Sequence, residues 1–261
     1  MDSNSRIQIF GVNIDPVTVE DVHNYIAGII DQNGHELILN VNIHCLNLAF
    51  ERPWLRDFLN RAGLLYCDGA GVILAARLLG HRIPERITYA DWMWQLSGFV
   101  AAKGYSMYFL GAHPGIAERA QARLQQRFPN LSVLGTHHGY FNKESTSAEN
   151  LSVVEQINAV RPDILVTGLG QPMQERWLYE NWNNVDARIA LTGGAVFDYV
   201  SGNLRRGPRW MTDNGFEWLA RLVVEPKRLW RRYVIGNPLF YWRFLRTELM
   251  SGSQPRWSKH T

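Results

Sequence analysis

Cysteine is scarce: only Cys45 and Cys67 occur in 261 residues. Both lie inside apolar runs, and two thiols cannot build a disulfide framework across a chain this long, so a reducing compartment is expected. No stretch of about 18 uncharged apolar residues occurs, which excludes a bilayer-spanning helix and leaves only peripheral membrane contact. The opening residues, MDSNSRIQIFGVNIDP, lack a basic start followed by an apolar run, and no secretory leader is expected. Metal signatures are missing too: there is no D-x-D pair, no C-x-x-C and no H-E-x-x-H, and the pair His137 and His138 has no spaced third ligand. No metal or other cofactor is expected. A departing diphosphate would then need arginine, through bidentate contacts, to carry its charge.

What is present is enough for a large core, with 46% apolar and 20% charged residues. The net charge of +3 is small, but it is unevenly spread. Residues 205–246 carry ten Lys/Arg against Asp213, Glu217 and Glu225, whereas residues 1–204 carry fifteen against twenty acids. The chain reads as an acidic body with a basic tail.

Apolar runs of strand length alternate with stretches of helical period. The runs are ELILNVN (36–42), GLLYC (63–67), SMYFLG (106–111), LSVLGTH (131–137), DILVTGLG (163–170) and RIALTGG (188–194). Between them GIAERAQARLQQRF and SAENLSVVEQINAV show the i, i+3, i+4 spacing of amphipathic helices. This alternation predicts an α/β fold, Rossmann-like, with a mostly parallel sheet covered by helices on both faces. After SGNLRRGP the strand pattern stops, and helices are expected over about 212–223, 225–234 and 238–250, punctuated by Pro226 and Pro238. The expected division is 1–204 as the catalytic α/β domain and 205–250 as a helical appendage, with a polar, disordered 251–261.

In open parallel sheets ligands bind beyond the carboxyl ends of the strands. Asn40 and Asn42 share one strand face by period 2, with His44 following as the chain turns helical; their amides suit sugar hydroxyls, or else they cap the next helix. Asp68 directly follows a strand and precedes Gly69 and Gly71, where a carboxylate can stand at a pocket mouth as a general base, or cap a helix. Asp91 is a weaker candidate for acceptor contacts, with the same capping alternative. The turns at Gly111 and at Gly168 and Gly170 lead into helix starts that favour phosphate. Met173 fills the third position of G-x-G-x-x-G, so the dinucleotide fingerprint fails. Gln174 and Glu175 sit on the following helix's first turn, within reach of a sugar or base, or on a solvated face.

The tail, EPKRLWRRYVIGNPLFYWRFLR (225–246), interleaves six basic with six aromatic side chains. Basic residues beside Trp, Tyr and Leu, without a spanning run, are what an interfacial helix on an anionic bilayer requires. Binding of single-stranded nucleic acid and an oligomer interface remain alternatives.

Four motifs carry a resemblance: LNVNIHCLNLA, CDGAGVILAARLLG with RITYADWMWQL, GLGQPMQERW, and GGAVFDYVSGNLRRGPRWMTDNGFEWLARLVVEPKRLWRRY. Through them the chain, from about residue 8 to 245, resembles the WecG/TagA/CpsF family of bacterial glycosyltransferases. The resemblance implies a metal-independent enzyme on the cytoplasmic face of the plasma membrane. Such an enzyme moves a sugar from a UDP-sugar to a sugar on undecaprenyl diphosphate, in the making of teichoic acid linkage units, enterobacterial common antigen or exopolysaccharides. It implies that Asp68 is the catalytic base and that Asn40, Asn42 and Gln174 line the pocket. It further implies that the tail contacts the membrane and supplies arginines, with Arg206, Arg221, Arg228 and Arg231 the candidates here. Dimers are expected by family likeness only. Asn40 replaces a frequent Thr and Met173 a frequent Lys, removing one phosphate contact. The wording NIHCLN is closer to exopolysaccharide glucosyltransferases than to N-acetylmannosamine enzymes, so the donor is expected to be of glucose, ManNAc or ManNAcA type. Outside the resemblance, a nicotinamide oxidoreductase and a nucleic-acid-binding protein are the rival readings.

Overall fold

The computed structural model describes residues 6–204, 207, 208, 211 and 217–249. Arg206 and the stretch 251–261 lie outside the described residues. Six strands form a wholly parallel sheet: β3 (Glu36–Val41), β4 (Leu64–Cys67), β5 (Ser106–Gly111), β6 (Ser132–His137), β7 (Ile164–Gly168) and β8 (Ile189–Thr192), in the order β4-β3-β8-β7-β5-β6. All six coincide with the apolar runs of the sequence; five are buried on both faces and have no polar side to alternate with, while β6, at the sheet edge, is only half-buried.

Two cores result, one on each face. Leu37, Leu39 and Val41 of β3 enter one core together with Leu165 of β7, while Ile38, Ile164 and Val166 enter the other. The first core is covered by α2 (Ile43–Glu51), α3 (Pro53–Asn60), α4 (Ala70–Leu78), α7 (Ala148–Val160) and α8 (Met173–Asn181). The second is covered by α1 (Val19–Asp31), α5 (Tyr89–Lys103), α6 (Ile116–Arg127) and α9 (Val196–Ser201). Strand order reverses between β3, which continues to β4, and β8, which arrives from β7; a crevice opens at the carboxyl ends there.

An additional hairpin, β1 (Ile7–Ile9) with β2 (Val12–Ile14), turns through Phe10 and Gly11, both at positive φ (54° and 73°). A two-residue loop with both φ positive matches the strand twist, although Phe-Gly is not the usual Asn-Gly that would announce it.

The C-terminal helices are α10 (Glu217–Val224), α11 (Pro226–Trp230) and α12 (Gly236–Phe244), with π turns at Arg231–Ile235 and Leu245–Leu249. Pro226 opens a helix, as expected from its missing N–H. Pro238 does not break one. The helix runs from Pro226 to Leu249, and the wide turn just before the proline, where Gly236 N–H reaches back to Arg231 O, absorbs it. This region packs on the body through Phe240 and Phe244, both buried in the first core. Phe240 meets Phe10 edge to face at 5.3 Å, Arg243 donates to Asn47 Oδ1 at 3.2 Å and to Glu51 at 2.6 Å, and Phe10 N–H donates to Glu248 at 2.8 Å. Its outward surface is Val223, Val224, Trp230, Val234, Ile235, Trp242 and Leu245. No helix among the described residues is long and apolar enough to cross a membrane.

Candidate active site

The carboxyl ends of β3, β4, β7 and β8 face the C-terminal helices across a cleft of about 610 Å³. Asn40, Asn42, His44, Asp68, Gly170, Gln174, Arg221, Arg228 and Arg231 all line it. Most of the candidates that the sequence scattered over 190 residues therefore meet in one place.

Asp68 follows β4, and its backbone N–H donates to Val41 O at 2.9 Å. The next helix, α4, takes Gly69 as its N-cap without a side-chain bond, so capping is not the occupation of the Asp68 carboxylate. That carboxylate accepts from Asn40 Nδ2 at 3.1 Å. Asn40 is itself oriented: its Oδ1 accepts from the Thr192 hydroxyl at 2.8 Å, which leaves the NH₂ end for Asp68. A three-residue relay across β8, β3 and the end of β4 thus fixes the carboxylate's direction.

Asn42 combines both roles weighed for it. Its Oδ1 caps α2 by accepting from Cys45 N–H at 3.1 Å, and its Nδ2 donates to Gln171 Oε1 at 3.2 Å across the cleft floor. His44, on the first turn of α2, has its pKa pushed down to about 4 by burial and by the guanidinium groups of Arg232 and Arg52, so its imidazole is neutral at pH 7.

Gln174 and Glu175 are almost fully buried, not on a solvated face. Gln174 accepts from Gly194 N–H at 2.9 Å and donates to Glu175 at 2.9 Å, tying α8 to the β8–α9 turn. Glu175 lies under the floor; burial raises its pKa to about 7, against the pull of the Gln174 amide and of Arg232. Its Oε2 is enclosed without a hydrogen-bond partner among the described residues.

Besides Glu175, five candidates among the described residues stand outside the lining: Gly111, Gly168, Asp91, Gly69 and Gly71. Gly111 and Gly168 pack strand end against strand end: a Cβ on Gly111 would come within 2.4 Å of the Gly168 backbone, and one on Gly168 within 2.7 Å of Phe197. Their small size is required by this contact, while Gly170, at φ 80°, makes the turn that borders the cleft. Asp91 is exposed on the first turn of α5, where a carboxylate suits the helix dipole. Gly69 and Gly71 line a second, smaller hollow of about 130 Å³ that shares Asp68 with the cleft.

The tail provides the opposite wall. Arg221 has its guanidinium 5.6 Å from the Tyr199 ring centroid and 3.7 Å from Glu225; Arg228 bonds Glu225 at 2.8 Å; Arg231 covers Trp230. Arg232 was not singled out by sequence, yet it lies at the electrostatic centre. Burial lowers its pKa, while the charges of Asp68 and of Cys45 and Tyr233 in their ionised forms oppose that shift. Its Nε is enclosed without a partner among the described residues. Adjacent arginines on a helix face different ways, so residue type alone could not choose Arg232 over Arg231. Gln171 and Arg86 were also missed; Gln171 follows the strand-end glycines already noticed, so the same search carried one residue further finds it, whereas Arg86 lies in the loop between α4 and α5, far in sequence from any strand end. Among the described residues no three His, Cys, Asp or Glu side chains gather as a metal-holding group.

A carboxylate aimed by an amide relay, facing guanidinium groups over a polar cleft, suits deprotonation of a hydroxyl beside a leaving phosphate. The family model described as "Glycosyl transferase WecG/TagA/CpsF family" matches residues 7–254. The chain belongs to this family. It is a glycosyltransferase by that membership. It is similar to proteins of Staphylococcus aureus strains MRSA252, NCTC 8325 and COL, 26% identical over 250 residues, covering 94% of this chain and 94% of each relative. Each of these is named N-acetylglucosaminyldiphosphoundecaprenol N-acetyl-beta-D-mannosaminyltransferase.

Proposed function

We propose that this glycosyltransferase moves a sugar of glucose, ManNAc or ManNAcA type from a UDP-sugar to a sugar carried on undecaprenyl diphosphate, with inversion, while docked peripherally on the inner face of the bacterial plasma membrane. The observation that carries the reading is the Asp68 carboxylate, aimed by Asn40 and Thr192 at a cleft whose far wall is arginine. Asp68 takes the proton of the acceptor hydroxyl; that oxygen forms a bond to the anomeric carbon, and the bond to the UDP oxygen breaks on the opposite side, its electron pair leaving with UDP. Arg221, Arg228, Arg231 and Arg232 stabilise the charge on the departing diphosphate. Arg206 has the same proposed role from outside the described residues. Asn40, Asn42, Gly170 and Gln174 shape the donor side. The names of the staphylococcal relatives support a polyprenyl-diphosphate-linked acceptor.

The exposed apolar and basic face of the C-terminal helices supports membrane docking: Trp230, Trp242, Ile235 and Leu245 stand outward beside Lys227, Arg228, Arg231 and Arg246. Each such cation is worth about 1 kcal/mol near an anionic surface. The 205–250 segment then acts as a membrane-targeting unit on a 1–204 catalytic unit.

Purified protein incubated with a panel of UDP-sugars and a synthetic lipid-linked monosaccharide tests the activity by mass spectrometry. The expected product is heavier by one sugar residue with one donor preferred. Donor hydrolysis without transfer to any diphosphate-linked acceptor would overturn the reading. Flotation with anionic liposomes, beside a gel shift on single-stranded DNA, tests the docking: flotation without a shift is expected, and lipid-independent DNA binding would count against it.

A further inference from the structure

Asp68 borders two hollows, and the second does not end at the cleft. The small chamber of about 130 Å³ is walled by Arg86, Arg221 and Arg232 beside Asp68. Through Ile43, Ala70, Gly71, Trp218, Tyr233 and Asn237 it shares its wall with an apolar groove of about 560 Å³ between α4 and the C-terminal helices. Leu74, Val234, Pro238 and Tyr241 complete that groove. Its floor is narrow by construction, since a Cβ on Gly71 would lie 2.2 Å from the Ile43 side chain and 3.1 Å from the Tyr241 hydroxyl. Leu74 and Val234, 47% and 56% exposed, hold apolar surface at its rim.

The chemistry therefore changes in a fixed order along one path: amides of the polar cleft, the carboxylate, three guanidinium groups, then an apolar channel. A polyprenyl-diphosphate-linked sugar has its own parts in the matching order: hydroxyl, diphosphate, hydrocarbon. We propose that the chamber and groove form one acceptor track, with the acceptor's diphosphate at Arg86 and on the chamber side of Arg221 and Arg232, which border both hollows and face the departing UDP from the cleft side, and the first isoprene units along Leu74, Tyr233, Val234 and Tyr241. The polar cleft on the other side of Asp68 is left to the nucleotide sugar. This assignment rests on the proposed function and adds which hollow takes which substrate. It makes the gap between α4 and the tail part of the site, so the tail reads the lipid as well as supplying charge.

The test compares two acceptors with the same sugar diphosphate, joined to one or to four isoprene units, under one detergent condition. Burying the extra apolar surface should raise kcat/KM of the unmodified enzyme by roughly tenfold or more for the longer chain. Leu74→Glu and Val234→Glu, which place a charge in the groove, should cut this preference to within about threefold. The long-to-short ratio is taken within each protein, so a loss of folded fraction cancels. Leu134→Glu, on the exposed surface of β6, serves as the control and should keep the preference. Flotation on acceptor-free vesicles of phosphatidylglycerol and phosphatidylethanolamine should be unchanged in both groove variants. A chain preference that is absent at the outset, or untouched by both variants, overturns the assignment; so does a loss of flotation, which would make the groove a bilayer contact. No transfer to either acceptor by the unmodified enzyme would instead overturn the proposed function, and this assignment with it.

Discussion

On the sheet side of the cleft, polar side chains hold one another: Thr192 orients Asn40, Asn40 holds Asp68, Asn42 reaches Gln171, and Gln174 ties down the Gly194 turn. On the tail side Arg228 and Arg231 are exposed, and the helices carrying the cations hold to the body farther along, through the buried Phe240 and Phe244 and the bonds of Arg243 and Glu248. A base must point in one direction, and the sheet wall gives it that by networked hydrogen bonds. A charge clamp for diphosphate needs cations near the site and a membrane to bring the acceptor, and separate helices with a few apolar anchors suffice. The difference teaches that direction comes from the strand ends while charge is supplied from outside them.

The comparison can be broken from the tail side first. Phe240→Ala removes a fully buried ring between Phe10 and Phe244, and should cost about 3–5 kcal/mol of stability. If the anchors hold the clamp, the variant should also raise protease cleavage within 217–249 before the body is cut, seen by limited proteolysis. Arg232→Met should lower kcat roughly 10² to 10³-fold, since it removes a cation beside Asp68, while thermal unfolding holds steady because an enclosed charge has gone. Steady-state kinetics beside calorimetry would separate the two effects.

The sheet side is sharpened by pH. Glu175 has a folded pKa of about 7 against the usual 4.5. Between those values the folded protein keeps a proton that the unfolded chain has lost, so stability falls as pH rises from about 4.5 to 7 and levels off above. Glu175→Gln should abolish that slope, worth up to about 3 kcal/mol, in melting curves from pH 5 to 8. The smallest effect is expected from Asn42→Ala, which loses a helix cap for about 1 kcal/mol and the bond to Gln171, with a raised KM for the nucleotide sugar.

Five of the sheet strands were legible because each is buried along most of its length and reads as one apolar run, and the edge strand β6, only half-buried, was legible from its short apolar run between turn residues. The hairpin was not, since Phe10 hides a turn that Asn or Asp would have signalled, and its strands are three residues long. Pro238 pointed to a break that a π turn removed. Asp68 was found from its place after a strand, but its freedom from capping came from Gly69 taking that position, which no spacing reveals. The aromatic tail was read as surface, yet Phe240 and Phe244 are core: composition shows that a helix has apolar residues and not which of them meet the body. Burial of Gln174 and Glu175 was hidden for the same reason, because polar side chains at a helix start look solvated until the neighbouring β8–α9 turn is placed over them.

Asp68→Asn under single-turnover conditions, with UDP affinity followed by calorimetry, is the most direct test. The amide keeps the shape and removes the basic oxygen, so transfer should fall roughly 10² to 10⁴-fold with UDP binding retained. Transfer near the unmodified rate would contradict the assignment of Asp68 as the base.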